Sequence, residues 1–205
     1  MAFIGGTGPG PEQCRALAKK ADILVAADSG LILAEQAGVR PDWIVGDMDS
    51  LDDPLRLEGY PPERILRYPQ DKDFTDTELA LSLLREKGCD ETWLIGGGSG
   101  RLDHLLAIRA LFERKPRPQR WFTGGEDIYC LNSQEQLTLN LQPGRVLSIF
   151  PLGSGPWETG SRGLKWPLDG LPWDRGFFGL GNVFLEARAS LWAEKGRFLV
   201  ILPRL

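Results

Sequence analysis

A single histidine, His104, and three cysteines are all this chain has of the side chains that favour transition metals. Cys14, Cys89 and Cys130 are widely spaced and odd in number, so they read as small core fillers, not as a disulfide framework or a metal knot. No apolar run is long enough to span a bilayer. The opening Met1-Ala-Phe-Ile-Gly-Gly6 lacks both a basic region and a secretory apolar stretch. With a net charge of −4 there is no basic stripe to track nucleic-acid phosphates. The expectation is a cytoplasmic protein with no nucleic-acid and no membrane partner.

An apolar fraction of 42% is enough to bury a core. Up to about Arg114, short apolar runs alternate with helical patterns. Pro11 opens a helix reaching about Lys20, since proline suits a first turn. Ile23–Ala27 reads as a strand. Leu31–Ala37 reads as a helix stopped by Gly38. Trp43–Val45 and Ile65–Tyr68 follow as strands. Thr75–Lys87 is a helix ending on Gly88, Thr92–Ile95 a strand and Leu102–Arg114 a helix. Such alternation predicts a parallel sheet with helices on its faces. Beyond Pro116 and Pro118 the period changes to two. Leu137, Leu139 and Leu141 alternate with polar residues. So do Val183, Leu185, Ala187 and Ala189, and then Phe198, Val200 and Leu202. Glu194–Arg197 would turn a hairpin between the last two strands, and Gly153–Gly163 reads as a loop. An antiparallel β domain of the sandwich kind is expected.

Four segments carry chemistry. In Pro41–Ser50, Asp47 and Asp49 follow the strand at alternate positions. An extended backbone would put them on one face, at the sheet edge where α/β ligands bind. Paired carboxylates call for a cation, and an oxygen-only set suits Mg²⁺ with phosphates. Asp28-Ser29-Gly30 adds another acid to that edge, or else a helix cap. In Asp71–Glu78, Thr75 and Glu78 fit a capping box. The box leaves Asp71, Asp73 and Asp76 unexplained, and Lys72 would be a point charge on phosphate. Gly96–His104 supplies glycines for an anion-binding nest, with Arg101 to fork onto phosphate. No Gly-Lys-Ser/Thr follows, so it is not a Walker A loop. In a parallel sheet all four segments meet at one edge.

Asp28-Ser-Gly, Pro41–Ser50, Asp71-Lys-Asp-Phe-Thr-Asp76, Gly98-Ser-Gly-Arg-Leu-Asp-His104 and Gly163-Leu-Lys-Trp-Pro-Leu168 together resemble the thiamine pyrophosphokinase (thiamine diphosphokinase) family. The resemblance runs in order over nearly the whole chain. It implies an α/β fold: a parallel-sheet, Rossmann-like catalytic domain over 1–118, then a C-terminal antiparallel β-sandwich over 119–205 that binds thiamine and dimerises. It implies a homodimer, thiamine and ATP as substrates, Mg²⁺ as cofactor, and thiamine diphosphate and AMP as products. Asp47, Asp49 and Asp76 match the family's metal acids. Asp28 and Asp103 match further acids of the site, with Asp76 and Asp103 as candidates to take the hydroxyl proton. Ser50, Lys72 and Thr75, with Gly98, Ser99, Gly100 and Arg101, fall on the phosphate and nucleotide positions. Trp166 and Asn182 match the thiamine pocket, where a tryptophan face would attract the cationic thiazolium. Leu31, Ile108 and Val183 depart from the family pattern.

Two other readings compete. Gly5-Gly6-Thr7-Gly8-Pro9-Gly10 with Asp28 partly matches an NAD(P)-binding turn, but leaves Asp47, Asp49 and Asp76 idle. A non-catalytic thiamine- or nucleotide-binding module would not need all the presumed metal acids.

Overall fold

The structure is a computed structural model and describes residues 1–204. The chain divides into two compact units, Met1–Gly125 and Glu126–Leu205.

In the first unit, strands β1 (Ala2–Phe3), β2 (Val25–Ala27), β3 (Trp43–Gly46), β4 (Ile65–Arg67), β5 (Trp93–Ile95) and β6 (Arg120–Phe122) pair with one another in parallel. Their order is β6-β5-β1-β2-β3-β4. The chain therefore runs outward from β1 to β4, then returns to the other side of β1. Ligands of open α/β sheets bind at such a reversal, beyond the strands' carboxyl ends. The connecting helices are α1 (Pro11–Ala18), α2 (Gly30–Gln36), α3 (Asp76–Glu86) and α4 (Leu102–Leu111). Pro11 opens α1, and Gly38 and Gly88 follow α2 and α3 with φ of 66° and 83°, as the sequence requires. One apolar cluster joins Phe3, Cys14, Leu17, Ala34, Ile95 and Phe122; another joins Ala26, Leu31, Ile44, Met48 and Leu57. Gly30 lets α2 lie against the sheet, because a Cβ there would strike the Phe3 carbonyl.

The helices are shorter than their patterns suggest: α1 stops at Ala18, not Lys20, and α4 at Leu111, not Arg114. The unit boundary falls at 125/126, later than 118/119, because β6 lies past the prolines and pairs with β5.

The second unit is antiparallel. Strands β7 (Glu126–Leu131), β9 (Val146–Leu152), β11 (Gly179–Val183) and β13 (Arg197–Pro203) pair in the order β11-β9-β13-β7. Strands β8 (Gln136–Asn140), β10 (Glu158–Arg162) and β12 (Arg188–Lys195) pair as β10-β12-β8. Residues from both sheets, among them Leu139, Leu147, Ile149, Leu191, Phe198 and Val200, share one apolar core.

Three expectations fail here. The run from Val183 to Ala189 is not one strand: residues 185–187 bend, and β11 and β12 belong to different sheets. Glu194–Arg197 closes no hairpin, because Gly196, at φ 76°, passes the chain from one sheet to the other. The supposed loop Gly153–Gly163 contains β10, hidden because glycine, serine and threonine fill its sequence.

Candidate active site

The carboxyl ends of β1, β2, β3 and β5, with the start of α3, assemble the site. Asp28 follows β2 with φ 47°, a left-handed conformation that non-glycine residues seldom adopt. It does not cap α2, whose N-cap is Ser29 without a side-chain bond. Its carboxylate turns toward those of Asp47 and Asp76, and one oxygen from each lies within 4.8 Å of the others. Asp28 is only 8% exposed, and its Oδ1 is buried with no hydrogen-bond partner. Gly46, at φ 140°, allows this approach: a Cβ there would sit 3.0 Å from Asp76 Oδ1 and 3.2 Å from Asp28 Cβ.

Lys72, in the irregular segment between β4 and α3, donates to Asp47 Oδ2 at 2.7 Å. Its ammonium also pairs with Asp76 Oδ1 at 3.2 Å. The hydrogen bond from Lys72 holds the Asp47 carboxyl below its ordinary range. Burial raises Asp76, and the charges of Asp47 and Asp28 add to it against the pull of Lys72. Burial alone would lower Lys72, but its contacts with Asp47 and Asp76 prevail and its pKa is raised. Three converging carboxylates, with the buried Oδ1 of Asp28 orphaned, form a hard, oxygen-only donor set, which fits a divalent cation such as Mg²⁺.

Asp49 stands outside this triad. Met48 takes φ 65°, so the alternation that would align Asp47 with Asp49 is broken. Asp49 instead accepts from Gln70 Nε2 at 2.8 Å and from Ser50 Oγ at 3.0 Å. Asp71 and Asp73 are exposed and also lie outside the triad.

A cavity of about 670 Å³ opens beside the acids. Asp28, Asp49, Ser50, Thr75, Asp76, Ser99, Gly100 and Arg101 line it, together with His104 and Ile108; Asp47, Lys72, Gly98 and Asp103 do not. Thr75 caps α3 in a full capping box with Glu78, placing Asp76 at the helix's positive end. The Glu78 carboxylate also holds Arg114. Arg101 forks onto Asp103, both at the exposed start of α4, so Asp103 faces its own arginine and not the triad. The glycine loop is braced from behind. Thr7 and Gly98 exchange backbone hydrogen bonds of 2.7 and 3.0 Å, and the Thr7 and Ser99 hydroxyls meet. Gly98 is glycine because Thr7 and Thr123 crowd it, so its reason is packing.

Sequence reading missed Gln70, Arg114 and the Thr7–Ser99 contact. Thr7 had a signal, since its glycine-rich segment follows the central strand just as Gly96–Arg101 follows β5. Leu31 is fully buried against Ile44 and Met48, so that departure is a core matter.

Trp166 and Asn182 belong to the second unit. Asn182 is buried at the end of β11. Its Oδ1 accepts from Trp166 N at 3.1 Å and Val183 N at 2.9 Å, while Nδ2 donates to Trp166 O at 2.6 Å. The clamp fixes the Trp166 backbone and leaves the residue 53% exposed, with the Lys165 ammonium 4.6 Å from the ring centre.

A parallel α/β sheet carrying an acid cluster and a braced glycine loop on its carboxyl edge is the frame of a phosphate-handling transferase. Residues 14–120 match the family model described as thiamin pyrophosphokinase, catalytic domain, and the chain belongs to that family. Thiamine pyrophosphokinase of Bacillus subtilis (strain 168) is 27% identical over 192 residues, which cover 86% of this chain and 85% of that protein. Among solved structures, a thiamin pyrophosphokinase family protein from Enterococcus faecalis superposes with a TM-score of 0.81 at 25% identity, covering 100% of this chain and 98% of that one. Thiamin pyrophosphokinase from Candida albicans shares the fold at 15% identity, with a TM-score of 0.72 over 98% of this chain and 87% of that one. Asp28, which a dinucleotide-binding enzyme would spend on a ribose hydroxyl, is instead part of the acid triad.

Proposed function

We propose that this chain transfers a diphosphoryl group from ATP to the hydroxyl of thiamine, giving thiamine diphosphate and AMP. The observation that carries the reading is the triad of Asp28, Asp47 and Asp76, with the orphaned Oδ1 of Asp28, on the edge of a cavity walled by the glycine loop.

Asp28, Asp47 and Asp76 would hold Mg²⁺, which when bound neutralises phosphate charge. Asp49 and Ser50 enter from the cavity wall, Asp49 oriented by Gln70. The Gly98–Arg101 loop and the start of α3 supply backbone N–H groups and positive dipole for phosphates. Arg101 would exchange Asp103 for a phosphate oxygen. The chain's contribution is positioning and charge, as phosphoryl transfer requires. The triad gives no purpose to a module that only binds.

The second unit is read as a β-sandwich, supported by the core its two sheets share. It would offer Trp166 to the thiazolium and join two chains as a homodimer. Trp166, Phe178, Leu180 and Leu185 are large apolar side chains left exposed in this unit, which supports that assembly.

Chromatography of a reaction with ATP and thiamine tests the reaction type. AMP should appear one-for-one with thiamine diphosphate. ADP with thiamine monophosphate would mean an ordinary kinase and would reject the proposal.

A further inference from the structure

The sequence pattern gives Lys72 to phosphate, yet its ammonium lies among carboxylates, 2.7 Å from Asp47 and 3.2 Å from Asp76. Both Lys72 and Asp47 side chains are only 12% exposed, so this is not a solvated surface pair. The ammonium satisfies Asp47, pairs with Asp76 and leaves Asp28 Oδ1 buried without a donor. One positive charge stands against three carboxylates. The position it fills is also the one a divalent ion would need. Mg²⁺ draws oxygens to about 2.1 Å, which leaves no room for an ammonium between the same two atoms.

We infer that Lys72 is a built-in counter-ion: it holds Asp47 and Asp76 together before substrates arrive, then yields its place to the divalent cation and moves to the phosphates. The inference rests on the cation reading of the triad proposed above. Two features allow the exchange. Lys72 sits on a segment, residues 68–75, that is neither helix nor strand. Its side chain is a compact charge on a flexible four-carbon stem. The exchange has a thermodynamic consequence. Without nucleotide, a metal must displace Lys72 into water. With nucleotide, the displaced ammonium finds phosphate oxygens, so metal and nucleotide assist each other's binding.

The test uses Mn²⁺ as the probe, titrated into the full chain with and without α,β-methylene ATP, whose methylene bridge replaces the bond to be broken. Melting temperatures are measured in EDTA and in Mn²⁺. Wild type should bind Mn²⁺ weakly alone. Lys72→Met should bind it about tenfold tighter or more without nucleotide, the scale of removing one unit charge at contact distance. The variant should melt below wild type in EDTA and recover with Mn²⁺. Lys72→Gln, which keeps a hydrogen bond to Asp47, should show the same tightening and serves if Lys72→Met does not fold. Lys72→Arg should behave as wild type. Equal or weaker Mn²⁺ binding by both neutral variants, with wild type binding Mn²⁺ beside nucleotide, overturns the counter-ion role and leaves the proposed function standing. No Mn²⁺ binding by any of the proteins, with or without nucleotide, overturns both.

Discussion

Asp28 is the residue that the proposed function sets most directly against stability. Its carboxylate is buried, adopts a left-handed backbone, faces two other acids and has one oxygen with no donor. Neutralising it should therefore stabilise the metal-free protein. Asp28→Asn relieves like-charge repulsion and should raise the melting temperature in EDTA by roughly 2–4 °C, the shift about 1 kcal/mol makes in a chain of this size. Turnover should fall about 10²-fold or more, as when a preorganised electrostatic group is lost. A variant that melts lower, or that turns over normally, contradicts the placement of Asp28 in the cation site. The acids themselves were legible from their spacing after predicted strands. Their grouping was not: Asp47 and Asp49 look paired in sequence, but Met48 at φ 65° breaks the alternation, and Asp28 joins from another strand.

At the scale of elements, α3 holds Asp76 in place through its cap. Thr75 accepts from Glu78 N, and the Glu78 carboxylate accepts from Thr75 N, so the first turn is locked where Asp76 begins it. Thr75→Ala should cost about 1 kcal/mol of stability, as N-cap losses do. It should also lower kcat, because Asp76 then frays with the turn. Thr75→Ser should restore both. A stable Thr75→Ala with reduced kcat would mean that the hydroxyl serves the substrate directly, since the residue also lines the cavity. This element was legible because a capping box is written in adjacent residues, and α2 and α3 were likewise bounded by Gly38 and Gly88. The β unit was harder to read. Its strands pair over long separations, as Thr138 with Ser190 or Ile128 with Ile201. No local signal tells Gly196 to change sheets instead of closing a hairpin, and β10 carries no apolar alternation.

At the scale of the whole molecule, the proposed homodimer raises the question of which chain's Trp166 would serve which chain's acids. Asn182 holds the Trp166 backbone by two hydrogen bonds while the side chain stays exposed, beside the Lys165 ammonium. The proposed function gives that ring to thiamine. Trp166→Ala should then raise the thiamine KM roughly 5- to 30-fold and leave the ATP KM nearly unchanged, the effect of losing a cation–π contact of about 1–2 kcal/mol. A strong fall in melting temperature with both KM values altered would instead make Trp166 a packing residue. The proposed homodimer sharpens the test. With sites shared across the two-fold axis, Asp76 of one chain works with Trp166 of the other. Asp76→Asn and Trp166→Ala chains, each impaired alone at low thiamine, are unfolded together and refolded to exchange partners. Half the dimers are then mixed, and each mixed dimer has one site carrying both defects and one carrying none. Activity at low thiamine should recover to about a quarter of wild type. If each chain builds its own site, every site keeps a defect and mixing recovers nothing. Sedimentation as a monomer with full turnover would remove the shared site altogether.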